Sequence, residues 1–371
     1  MLSNSRLFQQ SQSQLDHGRL MTLINSMTDA FLAVDQQGKI ELSNSVALSL
    51  LDTNSLDGKN ISDAMPVLDA QGQSQNLLEL AQKAGNSFIS RDFRLKYADG
   101  QIINLYTNVS AVRGVYGSTA QAGYVVLFRD ITKEKQEQDE RDEFISVASH
   151  ELRNPVAVAE GGISNALLLS QKAQSPETVL QTLKAAHDQV VFLSSLINDL
   201  AMISRADREK FVQSAAEFDP TEVLQTLQND YTAQAQKKGL QISLQASQLP
   251  KIFGSKLYTR EILQNFVTNA IKYTGQGTIT IQGKVVGDGV DLSVIDTGFG
   301  IDPIEQKKLF TKFFRSEDTR VRQINGTGLG LYVSLKLARL MGGSLTMHSE
   351  MNKGSTFTLH LPAGPAAKPI A

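Results

Sequence analysis

The sequence predicts a multidomain α+β protein with three folded parts, and three patterns support this prediction. Residues 21–131 contain short apolar–polar alternations between turn sequences, which is typical of an antiparallel sheet with a few helices. Residues 144–210 carry two apolar stripes at helical spacing, which predict a helical hairpin. Residues 218–362 alternate helical and strand-like segments, which predicts an α/β sandwich. The other segments are a polar N-terminal segment, a charged linker and a Pro/Ala-rich tail, at residues 1–20, 132–143 and 363–371.

Composition excludes several classes of chemistry. The 371 residues include no cysteine, so disulfides, thiolate zinc sites, iron–sulfur clusters and cysteine nucleophiles are excluded. The formal net charge of -2 gives no indication of nucleic-acid binding. No run approaches the roughly 20 apolar residues that span a bilayer, and the N-terminus does not resemble a signal peptide. We therefore expect a cytoplasmic protein; the alternative is a cytoplasmic fragment of a membrane sensor.

The first part begins with a predicted hairpin. An apolar run at 31–34 precedes the turn sequence at 35–38, and Ile40 and Leu42 then alternate with polar residues. We expect a short helix and three further strands, near residues 46–51, 87–97, 101–112 and 124–129.

The second part begins in the charged run at 132–143, which we predict to be a signalling helix because good helix formers lead straight into the apolar stripe. A second helix is predicted over 176–208, with Ser175 as its cap and Pro176 at its first position. A lone hairpin would leave much of its apolar surface in water. Pairing with a second copy to form a four-helix bundle would cover it, so we expect a homodimer.

One histidine in this part has a distinctive position. His150 lies six residues after Phe144, about 240° around the helix, so it points away from the apolar stripe. Neutral imidazole is a nucleophile near pH 7 and can attack a γ-phosphate through Nε2. Glu151 can hold the proton on Nδ1 and stabilise the imidazolium that develops. Metal binding by His150 is a poor alternative because no cluster of His and Cys lies nearby.

Three features of the last part can contact a nucleotide. Asp296 ends an apolar strand, where its carboxylate can accept a hydrogen bond from an exocyclic amine, and Gly298 and Gly300 follow it. Taken alone, this sequence is equally compatible with a plain turn.

The second feature is a glycine-rich run before a helix predicted at 332–341, where free N–H groups can face phosphates. The run comprises Gly326, Thr327, Gly328, Leu329 and Gly330, and it matches neither a Walker A motif nor a dinucleotide-binding fingerprint.

The third feature is a helix predicted over 259–273. Asn265 and Asn269 lie four residues apart, and therefore on one face. Amide oxygens suit Mg²⁺, and Lys272 can offset phosphate charge. Taken alone, these residues are more simply interpreted as a partly exposed polar face.

Taken together, the three features resemble the Bergerat-type ATP-binding domain of histidine kinases. LQNFVTNAIKYT resembles the N box, DTGFG and GTGLGL the two glycine boxes, LFTKFFR the F box, and GSTFTL the closing glycine segment. The resemblance implies that ATP and Mg²⁺ bind here and that residues 315–325 form a flexible lid. It further implies that Asn269 is the Mg²⁺ ligand, with a nucleotide site formed by Asn265, Asn269, Lys272, Tyr273, Asp296, Gly298, Gly300, Arg315, Gly326, Thr327, Gly328, Leu329 and Gly330. One departure is Ser255, which stands where the family usually has an aspartate.

The segment FISVASHELRNP resembles the H box of histidine-kinase dimerisation domains. The resemblance implies that His150 is phosphorylated and that the phosphoryl group passes to an aspartate of a response regulator. It also implies that Asn154, four residues further on, positions water for phosphatase activity. Two alternatives are a catalytically silent dimeric sensor or scaffold that retains the ATP-binding fold, and an ATPase that acts mechanically.

MTDAFLAVDQQGKIELSN and the exit Asp130-Ile131-Thr132 resemble a PAS sensor domain. The chain has no cysteine, and residues 21–131 contain no histidine. A cysteine-linked flavin and a histidine-ligated haem are therefore disfavoured, and no cofactor of this domain can be identified.

Overall fold

The structure is a computed structural model that describes residues 18–19, 21–85, 87–113, 121–172, 175–206, 215–246, 249–324 and 326–362. The predicted tail at 363–371, nearly all of the predicted N-terminal segment, and residue 325 of the predicted lid lie outside these residues. The chain divides into two compact units, Met1–Ile145 and Ser146–Ala371, which are described separately.

The first unit is a seven-stranded antiparallel sheet with strand order β2-β1-β7-β6-β5-β3-β4. Its strands are β1 Ala30–Val34, β2 Ile40–Ser43, β3 Val67–Leu68, β4 Ser74–Gln75, β5 Ser87–Lys96, β6 Ile102–Arg113 and β7 Gln121–Asp130. Three short helices complete it: α1 Ser45–Leu50, α2 Ile61–Ala64 and α3 Leu77–Lys83. The structure therefore confirms the predicted hairpin, the first helix and the three long strands; the sequence prediction did not include β3, β4, α2 or α3.

The buried side chain of Asn44 links β1 to the start of α1. Its side chain caps α1 by accepting a hydrogen bond from the backbone N–H of Ala47 at 2.9 Å, and it also accepts one from Phe31 at 3.0 Å. Its amide nitrogen donates to the carbonyl of Asp29 at 2.9 Å. One buried polar side chain thus joins the strand to the helix, with its hydrogen-bonding groups satisfied.

A long helix, α4 Thr132–Gln171, follows the sheet. Its start is fixed within the first unit: Thr132 receives a backbone hydrogen bond from Asn104 on its hydroxyl at 2.8 Å, and Lys135 pairs with Asp92 at 3.0 Å. The prediction that the charged run continues as a helix through His150 is confirmed, and the helix also continues through Pro155.

In the second unit, α4 packs beside α5 Pro176–Ala206 as the predicted hairpin. Small residues line the contact between the helices, and Gly162 is so close to Ala186 that an added Cβ would lie 3.1 Å from the alanine Cβ. Many apolar side chains outside this contact are more than about two-fifths exposed: Val156, Val158, Ile163, Leu167, Leu168, Leu180, Leu183, Val190, Val191 and Ile197. The hairpin thus has an apolar surface that it does not bury itself.

The rest of the second unit is the α/β sandwich. Its five-stranded sheet has the order β13-β14-β12-β11-β9, where β9 and β11 are parallel and the other pairs antiparallel, and β8 and β10 form a separate pair. The strands are β8 Ala216–Phe218, β9 Leu240–Ala246, β10 Ile252–Gly254, β11 Gly277–Val286, β12 Gly289–Asp296, β13 Ser344–Glu350 and β14 Gly354–Pro362. The helices are α6 Pro220–Lys237, α7 Lys256–Tyr273, α8 Pro303–Gln306, α9 Thr319–Arg322 and α10 Gly330–Leu340.

Two helices begin earlier than the sequence predicted. Helix α7 starts at Lys256, three residues before the predicted start, because the hydroxyl of Ser255 caps it by accepting a hydrogen bond from the N–H of Tyr258 at 3.3 Å. Helix α10 starts at Gly330 instead of residue 332, so the last glycine of the glycine-rich run lies in its first turn. None of the helices in the described part of the chain combines the length and the apolar character that crossing a membrane requires.

Candidate functional site

The predicted phosphoacceptor is on the surface of the hairpin. His150 and Asn154 are exposed on α4, Glu151 is half-buried, and Ala148 faces the packed side. The predicted orientation of His150 away from the apolar stripe is therefore confirmed. These three polar residues do not line the large cavity of the second unit. The structure thus keeps the histidine apart from the predicted nucleotide-binding residues.

That cavity has a volume of about 990 Å³ and lies between α5, α7 and the glycine-rich run. Its volume is at the upper end of the range of about 300–1,000 Å³ that is typical of ligand sites. Eleven of the predicted nucleotide-binding residues line it: Asn265, Asn269, Lys272, Tyr273, Asp296, Gly300, Arg315, Gly326, Thr327, Gly328 and Gly330.

The two predicted asparagines lie side by side, as their spacing indicated. The amide nitrogen of Asn269 donates to Oδ1 of Asn265 at 3.2 Å, and the amide nitrogen of Asn265 donates to Oγ of Ser334 on α10 at 2.9 Å. Ser334 in turn donates to the carbonyl of Gly330 at 2.9 Å. This series of hydrogen bonds joins α7 to the first turn of α10, and no group among the described residues donates a hydrogen bond to Oδ1 of Asn269.

Two positions of the glycine-rich run require glycine for steric reasons. Gly328 has φ +68, and a Cβ there would lie 2.7 Å from the carbonyl carbon of Phe313. A Cβ on Gly330 would lie 2.6 Å from Oδ1 of Asn265. Leu329 precedes α10 and makes no side-chain cap, so the positive end of the helix dipole is available to an anion.

Two of the predicted site residues do not line the cavity. Gly298 does not line the cavity; its N–H donates to Oδ1 of Asp296 at 2.8 Å and so orients that carboxylate. Leu329 also does not line the cavity, because its side chain is fully buried in the core. Both residues therefore belong to the loops that surround the cavity and do not face its interior.

Asp296 is a buried carboxylate at the end of β12. Burial raises the pKa of its carboxyl group, and hydrogen bonds from the backbone N–H groups of Gly298 and Ser355 oppose the shift. A buried carboxyl group with a raised pKa and a fixed orientation is typical of a residue that accepts a hydrogen bond from a ligand.

The end of α7 contributes a cation and an aromatic ring. Desolvation lowers the pKa of Lys272, although much of this side chain is accessible; nearby Asp199 raises the pKa and Arg315 lowers it further. Burial raises the pKa of Tyr273. Lys272 thus places a positive charge beside the cavity.

The predicted lid contains a short helix, α9, instead of being loop throughout. Arg315 donates to the carbonyl oxygens of Arg322 at 3.3 Å and Ile324 at 2.8 Å, so its guanidinium closes the lid on itself. Arg320 lies over the ring of Phe299 at 4.6 Å. The sequence did not indicate these contacts, and the flexibility of the lid stays a prediction.

Asp199 on α5 is a cavity residue that the sequence did not indicate. Its Oδ2 accepts a hydrogen bond from Oγ1 of Thr327 at 2.7 Å. Burial raises the pKa of this carboxyl group, whereas the hydrogen bond from Thr327 and the charge of Lys272 lower it. The residue lies outside every motif, so its role is visible only in three dimensions.

Three domain families match the chain in order. The PAS fold matches residues 18–131, the His Kinase A (phospho-acceptor) domain matches residues 140–209, and the histidine kinase-, DNA gyrase B- and HSP90-like ATPase family matches residues 238–365. A phosphoacceptor domain followed by an ATPase domain defines a histidine kinase. The chain belongs to the PAS-containing sensor histidine kinases.

The chain is similar to several individual sensor proteins and to solved structures. The aerobic respiration control sensor protein ArcB of Escherichia coli is 36% identical over 259 residues, which cover 67% of this chain and 33% of that protein. The phosphate regulon sensor protein PhoR of Pseudomonas aeruginosa is 28% identical over 368 residues, covering 97% of this chain and 79% of PhoR. The structure of the Acinetobacter baumannii histidine kinase AdeS has a TM-score of 0.47 at 22% identity and covers 58% of this chain and 98% of AdeS. The chain thus spans about a third of ArcB.

Proposed function

We propose that this chain is an ATP-dependent protein histidine kinase that phosphorylates His150 and passes the phosphoryl group to an aspartate of a response regulator. One observation supports this most strongly. The second unit combines an exposed histidine on a helical hairpin with a cavity lined by eleven of the residues predicted for a nucleotide.

The lining of the cavity offers groups for both the adenine and the phosphates of ATP. The oriented carboxylate of Asp296 would accept a hydrogen bond from the adenine amine. Lys272 and the uncapped start of α10 would attract the phosphates. Oδ1 of Asn269 would hold Mg²⁺, which neutralises phosphate charge when it is bound.

The phosphorylation step requires His150 and the γ-phosphate to approach each other. Nε2 forms a bond to the γ-phosphorus while the bond to the bridging oxygen breaks, and ADP leaves. Glu151 holds the proton on Nδ1 and balances the charge that develops on the ring. Because His150 does not line the cavity in this structure, the step needs a rearrangement of the ATP-binding domain or the histidine of a second copy.

We further propose that the hairpin forms a homodimer. The exposed apolar side chains of α4 and α5, including Ile163 and Leu167, are those that a four-helix bundle would bury. Asn154 is exposed on the same helix as His150, where a response regulator can dock, and we propose that it orients water for phosphatase activity. ATP and response regulators are available in the cytoplasm, and we place the activity there.

Labelling with [γ-³²P]ATP and Mg²⁺ tests this proposal. We expect acid-labile label on the wild type and none on His150→Gln, because glutamine has no nucleophilic ring nitrogen. The matched control is His187→Gln, which replaces an exposed histidine of the same hairpin and should label normally. Label on His150→Gln would refute the site. A wild-type chain that binds ATP but takes no label would favour the alternative of a silent dimeric sensor or scaffold.

A further inference from the structure

The contact between Asp199 and Thr327 places an acidic side chain in the cavity proposed for ATP. Asp199 comes from α5 of the hairpin, whereas Thr327 belongs to the glycine-rich run of the sandwich. The threonine hydroxyl donates to the carboxylate at 2.7 Å and accepts a hydrogen bond from the backbone N–H of Leu329 at 3.3 Å. The carboxylate is therefore linked through one hydroxyl to the backbone just before α10.

The surroundings of this carboxylate are those that would attract a phosphate. Lys272 interacts with it electrostatically, and the start of α10 has no side-chain cap. Hydroxyl, ammonium and helix N-terminus all favour an anion. Apart from Lys272, the charged group that influences the carboxylate of Asp199 is Glu261, which repels it. In the described part of the chain, Asp199 is thus the anion that this positive region contacts.

We infer that Asp199 is an autoinhibitory residue that competes with the phosphates of ATP for Thr327 and Lys272. This inference rests on the proposed function, since it requires that the cavity binds ATP. The hydroxyl of Thr327 has one proton to donate, so it cannot serve the carboxylate and a phosphate oxygen together. Two anions would also repel each other in this partly desolvated place. ATP binding therefore requires the contact between Asp199 and Thr327 to break, which removes one link between α5 and the sandwich.

The inference predicts tighter nucleotide binding when the carboxylate is removed. If the contact is formed in about nine molecules of ten, only the remaining tenth can bind, and the apparent affinity is reduced about tenfold. Asp199→Asn keeps the shape but removes the charge, and Asp199→Ala removes the hydrogen bond as well. We expect the dissociation constant to fall several-fold in the first variant and by about tenfold in the second.

The experiment is calorimetric titration of the full chain with a non-hydrolysable ATP analogue and Mg²⁺. Glu177→Gln is the matched control, because it also neutralises one carboxylate on α5, at an exposed position that does not line the cavity and lies about 33 Å away along the helix. We expect it to bind like the wild type. Steady-state labelling provides a second readout, in which the two Asp199 variants should show a lower KM for ATP.

Four outcomes are distinct. Tighter binding by both Asp199 variants with no change in Glu177→Gln supports the inference. Equal binding by all four proteins overturns it and leaves the proposed function intact, and so does equal tightening in Glu177→Gln, which would indicate a general charge effect. Absence of binding in every protein, each shown to be folded by circular dichroism, overturns the inference and the proposed function together.

Discussion

The nucleotide cavity and the phosphoacceptor helix differ in how much of their geometry a single chain builds. The cavity is formed by contacts within the second unit: Asn265 joins α7 to α10, and Gly328 lies close to the backbone of Phe313. His150 is exposed, and apolar side chains such as Leu167 lie open on its helix. We therefore propose that one chain suffices for ATP binding, whereas phosphotransfer depends on dimer assembly and on movement of the ATP-binding domain.

The largest expected effect concerns assembly. Leu167 is 61% exposed on α4, and Leu167→Lys would place a charge in the proposed bundle. We expect the dissociation constant of the dimer to rise by about a hundredfold, measured by analytical ultracentrifugation, while ATP affinity is unchanged.

The control for this variant is Leu257→Lys, which changes a leucine of α7 that is 54% exposed in the ATP-binding domain. It should leave the dimer intact. A dimer that Leu167→Lys does not weaken would show that this surface is not the interface.

The next effect concerns the cavity. Gly328→Ala would force alanine into a left-handed backbone conformation and place its Cβ against the backbone of Phe313. Because the left-handed conformation alone costs about 1–2 kcal/mol, we expect ATP to bind at least about tenfold more weakly, measured by calorimetry.

Gly326→Ala is the matched control in the same run. Its added Cβ would meet the hydroxyl oxygen of Tyr273 at 3.6 Å, an ordinary contact, so its affinity for ATP should stay close to wild type. If both variants bind ATP equally, the steric explanation of the glycine-rich run is wrong. Neither variant should alter the dimer, which separates the two regions experimentally.

The smallest effect concerns the stability of the cavity without ligand. Burial raises the pKa of Asp296, so the stability that this group contributes is present below the ordinary pKa of aspartate and is lost as pH rises through the raised pKa. Asp296→Asn removes the cost of burying the ionised form. We expect the variant to be more stable by about 1 kcal/mol at pH 8 and to bind ATP about tenfold more weakly, since an amide is a weaker acceptor.

Thermal unfolding without nucleotide at several pH values tests the sign of this prediction. The stability difference between Asp296→Asn and the wild type should shrink as the pH falls below the raised pKa, because the wild-type carboxyl is then neutral. A difference that is independent of pH would show that desolvation of the charge is not its cause.

Local patterns predicted most of the fold because helical spacing and strand alternation are encoded in neighbouring residues. They predicted the hairpin, the long strands and the common face of Asn265 and Asn269. They did not predict the short strands β3 and β4, which are only two residues each. The early start of α7 could have been found, since Ser255 is a favoured capping residue.

The part of the site that the sequence did not indicate depends on contacts between distant segments. Asp199 and Thr327 are 128 residues apart, and an aspartate on a helix is ordinarily a solvated residue. The sequence did not indicate the packing of the lid for the same reason, because Arg320 lies over the ring of Phe299, which belongs to another segment. Motifs identify residues that contact ligands, whereas residues that contact those residues become visible only in the folded chain.

The most direct test of the central claim links the two regions in one labelling experiment with [γ-³²P]ATP. The cavity is proposed to supply the phosphoryl group and His150 to accept it, so acid-labile label should be lost in His150→Gln and strongly reduced in Gly328→Ala at limiting ATP. It should persist in the matched variants His187→Gln and Gly326→Ala. Label that survives in His150→Gln, or that is independent of Gly328, would contradict the claim that this cavity phosphorylates this histidine.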